Sequence, residues 1–189
     1  MKTAAIVLSG AVCVICQIAA NSAPVEPIFS VPDLGIRYSP PIGMQDRTSS
    51  ASKEARGHAP SYTGNGLNLL LSMSSVDLDN APEWHQMMIV TYPRAHWPNL
   101  ADSDAEKKLS TLLAGRRATP AAEPENTTLA GHKFVVSEFE QKEQPLLKHA
   151  KIFTTICKTQ LVSFVLVSNS AAQVSAMEES LKTLDFSRG

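Results

Sequence analysis

The chain has 189 residues, with 17 Lys and Arg against 18 Asp and Glu and a formal net charge of −1 at pH 7. This balance, without a basic run, gives no indication of a nucleic-acid partner. The length and a hydrophobic content of 43% favour one globular domain with a sizeable core over two domains.

The N-terminus has the layout of a secretory signal peptide. Lys2 precedes a run without charge over residues 4–20, and small residues follow it, as at a cleavage site. A membrane anchor is the alternative, but the run only reaches the minimum length of a spanning helix. We therefore predict a signal peptide over residues 1–23, a mature chain without a transmembrane segment that begins within 21–24, and export to the periplasm or the extracellular space.

Cleavage changes what the cysteines can do. Cys13 and Cys16 leave with the signal peptide, so their C-x-x-C spacing is a false redox or metal motif, and Cys157 remains alone. An intermolecular link through Cys157 is the alternative to a buried, hydrophobic role. Its strand-like surroundings favour burial.

The first half of the mature chain predicts four strands, one of them inside a long loop. A short strand is expected within 28–38, followed by a loop over 44–66 that is rich in Ser, Gly, Ala and charge. Part of this loop, near Met44–Thr48, is expected as a strand that pairs back on the first. The runs 67–75 and 85–93 alternate or are β-branched, and their short connection predicts an antiparallel pair.

A helix and a connector follow. Ser103 and Glu106 have the spacing of a capping box, and apolar residues recur at helical intervals behind them, so a helix is expected from about Asp104 to Ala114. The Pro- and Ala-rich stretch 116–130 is predicted to be a long connecting loop. It contains a glycosylation sequon at Asn126, which matters only in a glycosylating host.

The last third predicts three strands and a helix. Residues 132–140 are apolar on both faces, and 151–157 and 161–167 flank a tight turn. Apolar residues on both sides of 161–167 indicate a central strand that is covered above and below. The closing helix opens with a second capping box at Ser170 and Gln173 and carries one apolar stripe, formed by Val174, Met177, Leu181 and Leu184.

This order of elements resembles the PsbP/Mog1-like α/β/α sandwich superfamily. The segments HKFVVSEFE, HAKIFTTICKTQLVSFVLVSNS and SLKTLDF carry the resemblance, and Pro41-Ile42-Gly43-Met44 stands where that superfamily commonly has a Pro-x-Gly-Trp-like turn. The resemblance implies one α+β domain over residues 24–189, with a mostly antiparallel sheet of about five to seven strands and helices on both faces. The resemblance implies docking to partners rather than a catalytic activity. Within the superfamily, the chain looks most like the exported bacterial members.

Candidate catalytic and metal sites do not assemble from the sequence. The five histidines, at 58, 85, 96, 132 and 149, lack metal-motif spacing. A copper site of His85 with Met73, Met87 and Met88 is disfavoured because alternation puts Met87 and Met88 on opposite faces. The acidic residues around Asp102 suit a helix start. We therefore expect no cofactor and no metal.

One segment concentrates residue types found in binding hot spots. Trp84, Tyr92, Arg94 and Trp97 lie within 18 residues of each other, around one predicted strand. The structural alternative is that the two tryptophans cover the two ends of that strand. The sequence thus predicts an exported, non-enzymatic domain that binds a protein or an envelope component, in an unknown oligomeric state. The alternative is an enzyme whose catalytic residues are distant in sequence.

The signal peptide yields the first prediction. Edman sequencing of the protein recovered from an exporting host should find an N-terminus between Asn21 and Pro24, because cleavage follows the small residues behind the apolar run. An intact Met1 or Lys2 on the mature product would refute cleavage.

Overall fold

The structure is a computed structural model that describes residues 28–52, 66–77, 81–143 and 146–186. The predicted signal peptide and the middle of the predicted loop 44–66 lie outside these residues. The strands are β1 (Phe29–Val31), β2 (Ile36–Tyr38), β3 (Gln45–Asp46), β4 (Asn68–Ser74), β5 (His85–Pro93), β6 (Thr119–Pro120), β7 (Glu125–Leu129), β8 (His132–Glu143), β9 (Leu146–Cys157) and β10 (Gln160–Ser168). The helices are α1 (Asp102–Ala114) and α2 (Ala171–Ser180), with 3-10 turns at Pro32–Leu34, Arg94–His96 and Leu181–Thr183 and a helical stretch over 48–52.

An antiparallel sheet of eight strands is the centre of the described part of the fold. Its order is β3-β4-β5-β10-β9-β8-β6, and β7 also pairs with β8. A separate hairpin of β1 and β2 packs nearby. The expected α+β architecture is confirmed. The sheet exceeds the predicted five to seven strands because the short, polar strands at its edges carry no apolar alternation.

Strand β10 lies in the middle of this sheet. It pairs along its whole length with β5 on one side and with β9 on the other. Phe164 is buried on one face and Val165 on the other. Lys158 adopts a left-handed φ of 56° in the two-residue turn that joins β9 to β10, as such tight hairpins require. The predicted central, doubly covered strand is confirmed.

Helices cover both faces of the sheet. On one face, the stripe of α2 and the β1–β2 hairpin pack on Phe153 and Phe164. On the other face, Ala105 and Leu109 of α1 pack on Leu161. All four residues of the predicted stripe are buried, so the predicted α/β/α layering is confirmed. The helix itself ends at Ser180, so Leu181 lies in the 3-10 turn that follows and Leu184 lies beyond that turn.

Residues 116–130, predicted to be a loop, contain β6 and β7, so that prediction is wrong. Strand β7 turns into β8 through Ala130 and Gly131, whose φ angles of 49° and 78° are both positive. Such a turn matches the twist of antiparallel strands. The strand is mostly exposed and polar, and its pairing rests on the backbone, so its composition indicated a loop instead.

The strand predicted near Met44–Thr48 exists but pairs differently. Gln45 of β3 lies opposite Ser74 of β4, at the edge of the large sheet. The first hairpin packs on a face of the sheet instead of extending it, so the chain that leaves β2 reaches β4 and not β1.

The capping boxes are also corrected. Helix α1 begins at Asp102, with Ala101 as its N-cap, and Ser170 occupies the N-cap of α2 without a side-chain hydrogen bond. An ion pair between Asp102 and Arg94 holds the first turn of α1 in place of the predicted cap.

Cys157 is buried, as predicted. Its thiol donates a hydrogen bond to the carbonyl oxygen of Leu34 at 3.1 Å. Burial raises the pKa of this thiol, and the charge of Lys158 opposes that rise. The protonated thiol therefore acts as a core side chain.

The apolar stripe that continues from α2 into the 3-10 turn at Leu181 yields the second prediction. Leu181→Ala should lower the free energy of unfolding in urea by about 2–5 kcal/mol, because it leaves a cavity in the core. Leu112→Ala is the matched control, since Leu112 is 44% exposed on α1, and should change stability by about 0.5 kcal/mol or less. Equal losses for the two variants would contradict the packing of α2 on the sheet.

Candidate partner-binding corner

The structure separates the four residues predicted to form a partner site. Trp84 precedes the first residue of β5, whereas Tyr92, Arg94 and Trp97 lie at its other end. A strand of this length spans about 30 Å. Trp84 therefore does not share a surface with the other three.

Trp84 is built into the fold. It is 9% exposed, and its carbonyl oxygen accepts hydrogen bonds from the Ser168 hydroxyl at 2.9 Å and from the Asn169 N–H at 3.2 Å. The Lys148 ammonium lies 5.3 Å from the centre of the indole. These contacts join the start of β5 to the end of β10, which is a structural role.

Tyr92, Arg94 and Trp97 form what we call the aromatic corner. The rings of Tyr92 and Trp97 are stacked with their centres 4.7 Å apart, and the ring of His96 meets Tyr92 edge-on at 4.8 Å. The Lys108 ammonium of α1 lies 5.0 Å from the centre of the Trp97 ring. Tyr92 is buried and Trp97 is partly exposed, so the corner has a packed base and an accessible tip.

Arg94 holds the loop that carries Trp97. Its guanidinium donates to the carbonyl oxygens of Trp97 and Leu100 and to the carboxylate of Asp102, the last at 3.1 Å. Only 19% of its side chain is exposed. Arg94 is therefore a positioning residue for the loop and for the start of α1, rather than a free anchor.

The corner also packs closely against the start of β4. A Cβ atom built on Gly66 would lie 2.4 Å from Cε1 of His96, and Gly66 has a positive φ of 83°. The positive φ favours glycine at this position, and a larger residue would also displace the His96 ring. Sequence spacing gave no signal for this contact, nor for Lys108, because both come from elements distant in the chain.

Glu106 adds a titratable group beside the corner. Burial and, to a smaller extent, the negative charge of Asp102 raise the pKa of its carboxyl and Arg94 lowers it, which together bring the pKa to about 7. Asp102 and Glu106 are one helical turn apart, so their like charges share one side of α1. Near neutral pH this side of α1 thus carries a partly protonated carboxyl.

The predictions about metals bear on other residues. Among the described residues, no three His, Cys, Asp or Glu side chains are grouped so that they could hold a metal ion. His58 lies outside those residues. Met87 and Met88 belong to different hydrophobic clusters on opposite faces of the sheet.

None of the helices in the described part of the chain is both long and apolar enough to span a membrane.

Comparison with solved structures places the fold. The solution structure of cyanobacterial PsbP (CyanoP) from Synechocystis sp. PCC 6803 is similar to this chain with a TM-score of 0.55 and 13% identity, over 88% of this chain and 96% of that one. The chain has a PsbP-like fold. The likeness is one of fold alone at this identity.

Two weaker similarities accompany this PsbP-like fold. A protein from Bacteroides thetaiotaomicron VPI-5482 has a TM-score of 0.48 and 11% identity, over 84% of this chain and 47% of that one. LpqN, involved in cell envelope biogenesis of Mycobacterium tuberculosis, has a TM-score of 0.40 and 6% identity, over 64% and 76%. No protein-family profile matches the sequence, and no curated protein matches it.

Glu106 yields the third prediction. Its pKa in the folded chain, about 7, exceeds the ordinary value of 4.5, so folding favours the protonated form and the wild type loses stability as pH rises from about 4.5 through 7. Glu106→Gln removes this loss. In urea unfolding, the stability of Glu106→Gln relative to wild type should therefore rise between pH 4 and pH 8.

Glu123→Gln is the control for this prediction, because Glu123 is exposed on the link between β6 and β7. Its stability relative to wild type should change little over the same range. A flat difference for Glu106→Gln as well would show that the carboxyl is not desolvated.

Proposed function

We propose that the protein is an exported, non-enzymatic domain that binds a protein partner or another envelope component through the aromatic corner. The observation that carries this proposal is the partial exposure of the Trp97 ring on a well-packed base. Its ring is partly exposed, yet it is stacked on a buried tyrosine and its loop is held by a guanidinium.

Such an arrangement favours binding because the tip is already ordered. A partner that buries Trp97 pays little conformational entropy, since Tyr92, Arg94 and Lys108 fix the ring before contact. An indole can contribute a large apolar area with few rotatable bonds, which is why tryptophan is enriched among binding hot spots.

The charges around the corner suggest the chemistry of the partner surface. The Lys108 ammonium lies over the Trp97 ring, His96 is exposed one residue before Trp97, and the carboxylates of Asp102 and Asp104 lie at the start of α1. A complementary partner would present an apolar pocket for the indole with both acidic and basic groups at its rim. Such a mixed rim suits a protein more than a uniformly charged polymer.

Export rests on the charge-free N-terminal run, and the PsbP-like fold is compatible with a domain that does no chemistry of its own. Neither identifies the partner. The corner is therefore the feature on which the proposal can be tested.

Site-specific photocrosslinking in the exporting host is the fourth prediction. A photoreactive residue at Ala95, which is exposed beside the corner, should give an adduct of one defined size because a single surface meets a single partner. The same residue at Ala121, exposed at the far edge of the sheet, should not give that adduct. Trp97→Ala should remove the adduct from position 95.

The stability of Trp97→Ala is measured in parallel by urea unfolding. If the variant stays folded and the adduct at position 95 persists, the corner is not the binding surface and the indole serves the fold. Equal adducts from positions 95 and 121 would likewise contradict the proposal.

A further inference from the structure

A cleft lies under the link between β6 and β7, on the face of the sheet that α1 covers. Helix α1 contributes Lys107 and Thr111 to its lining, β6 and the link contribute residues 120 and 122–124, and β8 contributes residues 137–139. The cleft has a volume of about 130 Å³. An engineered apolar cavity of about 150 Å³ in another protein holds benzene, so this cleft has room for one small ring.

The strand registers create this cleft. Pro120 pairs with Phe139, and Glu125 pairs with Val136. Four residues of the outer chain thus stand against two of β8, so the outer chain must arch away from the edge of the sheet. Pro124 lies in the arch, where its missing N–H removes no hydrogen bond from a ladder. The space under the arch therefore follows from the registers and not from loose packing.

The floor of the cleft contains a buried hydroxyl without a partner. Ser137 is 3% exposed, and its Oγ forms no hydrogen bond with any group in the described part of the chain. Phe139, two residues further along β8, lines the same cleft, so both side chains lie on this face of the strand. Buried hydroxyls normally have a hydrogen-bond partner. An alanine would pack here without the cost of desolvating a hydroxyl, so the oxygen marks a polar contact to be made.

The rim of the cleft carries charges of both signs. Lys107 of α1 and Glu123 of the link are exposed and line it from two different elements. Glu138 also lines the cleft, but its carboxylate lies 3.1 Å from the ammonium of Lys151. An anionic ligand would meet Glu123, and a cationic ligand would meet Lys107, so neither net charge is favoured. A neutral molecule with both an acceptor and a donor suits this rim.

We propose that the cleft binds a small uncharged amide, whose carbonyl oxygen accepts a hydrogen bond from the Ser137 hydroxyl and whose apolar part packs on Phe139. Lys107 supplies a second donor for the carbonyl oxygen, and Glu123 supplies an acceptor for the amide N–H. The apolar walls and the few polar groups are the usual combination in ligand sites. This inference goes beyond the proposed function and takes nothing from export or from the aromatic corner.

The test is a titration of the purified protein with 2-piperidinone, a six-membered cyclic amide, followed by the amide shifts in NMR spectra. Binding should saturate with a Kd on the order of 1 mM, the scale expected for a ligand of this size. The shifts should be confined to residues around 120–124 and 137–139. Piperidinium, which has the same ring size and a positive charge in place of the amide, should give no saturating shifts there.

Ser137→Ala distinguishes a ligand contact from a structural role. It should weaken the binding of 2-piperidinone about threefold to tenfold through the lost hydrogen bond. Its urea midpoint should equal or exceed that of wild type, because an unpaired buried hydroxyl does not stabilise the fold. Ser163→Ala is the matched control, since the Ser163 hydroxyl lies 2.8 Å from that of Thr154. That variant should lower the urea midpoint and leave the Kd unchanged.

Three results would overturn the proposal. Shifts that stay linear up to about 50 mM 2-piperidinone would leave the cleft to water alone. An equal Kd for wild type and Ser137→Ala would remove the hydroxyl from the site, and equal saturation by piperidinium would exclude recognition of an amide. None of these results changes the expected adduct at position 95, so this proposal and the proposed function fail separately.

Discussion

The two-sided burial of β10 is the constraint on which the fold depends. A strand that is apolar on both faces and paired on both edges must be covered above and below, since otherwise one face leaves large apolar area in water. Phe164 requires the cover of α2 and the first hairpin, and Val165 requires cover on the other face, where α1 packs. The α/β/α layering follows from this strand rather than from any property of the helices themselves.

With both faces covered by helices, the surfaces offered to other molecules lie mainly at the ends of the strands. The aromatic corner lies at the end of β5 that also contacts Gly66. Loops on a rigid sheet can carry exposed apolar side chains without loss of core packing.

The residues that form the core could be predicted from the sequence, because buried faces of strands and helices require apolar residues at regular intervals. The run 161–167 and the stripe from Val174 to Leu184 both showed such intervals, and both predictions are confirmed. Strands β6 and β7 could not be predicted, and the strand predicted where β3 lies was given the wrong partner, since edge strands are held by backbone hydrogen bonds that leave no apolar pattern. Arg94 was predicted to be a binding residue because arginine is frequent in binding hot spots. Its guanidinium instead donates to backbone carbonyl oxygens, and the sequence does not reveal such contacts.

The corner in turn depends on how α1 is fixed to the sheet. The hydroxyl of Ser110 lies 2.9 Å from that of Thr154, which lies 2.8 Å from that of Ser163, and all three side chains are fully buried. These buried hydroxyls favour a single register of α1 on the sheet, because a shift of the helix would leave them without hydrogen-bond partners. Lys108 stands two residues before Ser110, so this register also places its ammonium over Trp97. A polar contact in the core therefore determines the geometry of a surface at the end of the sheet.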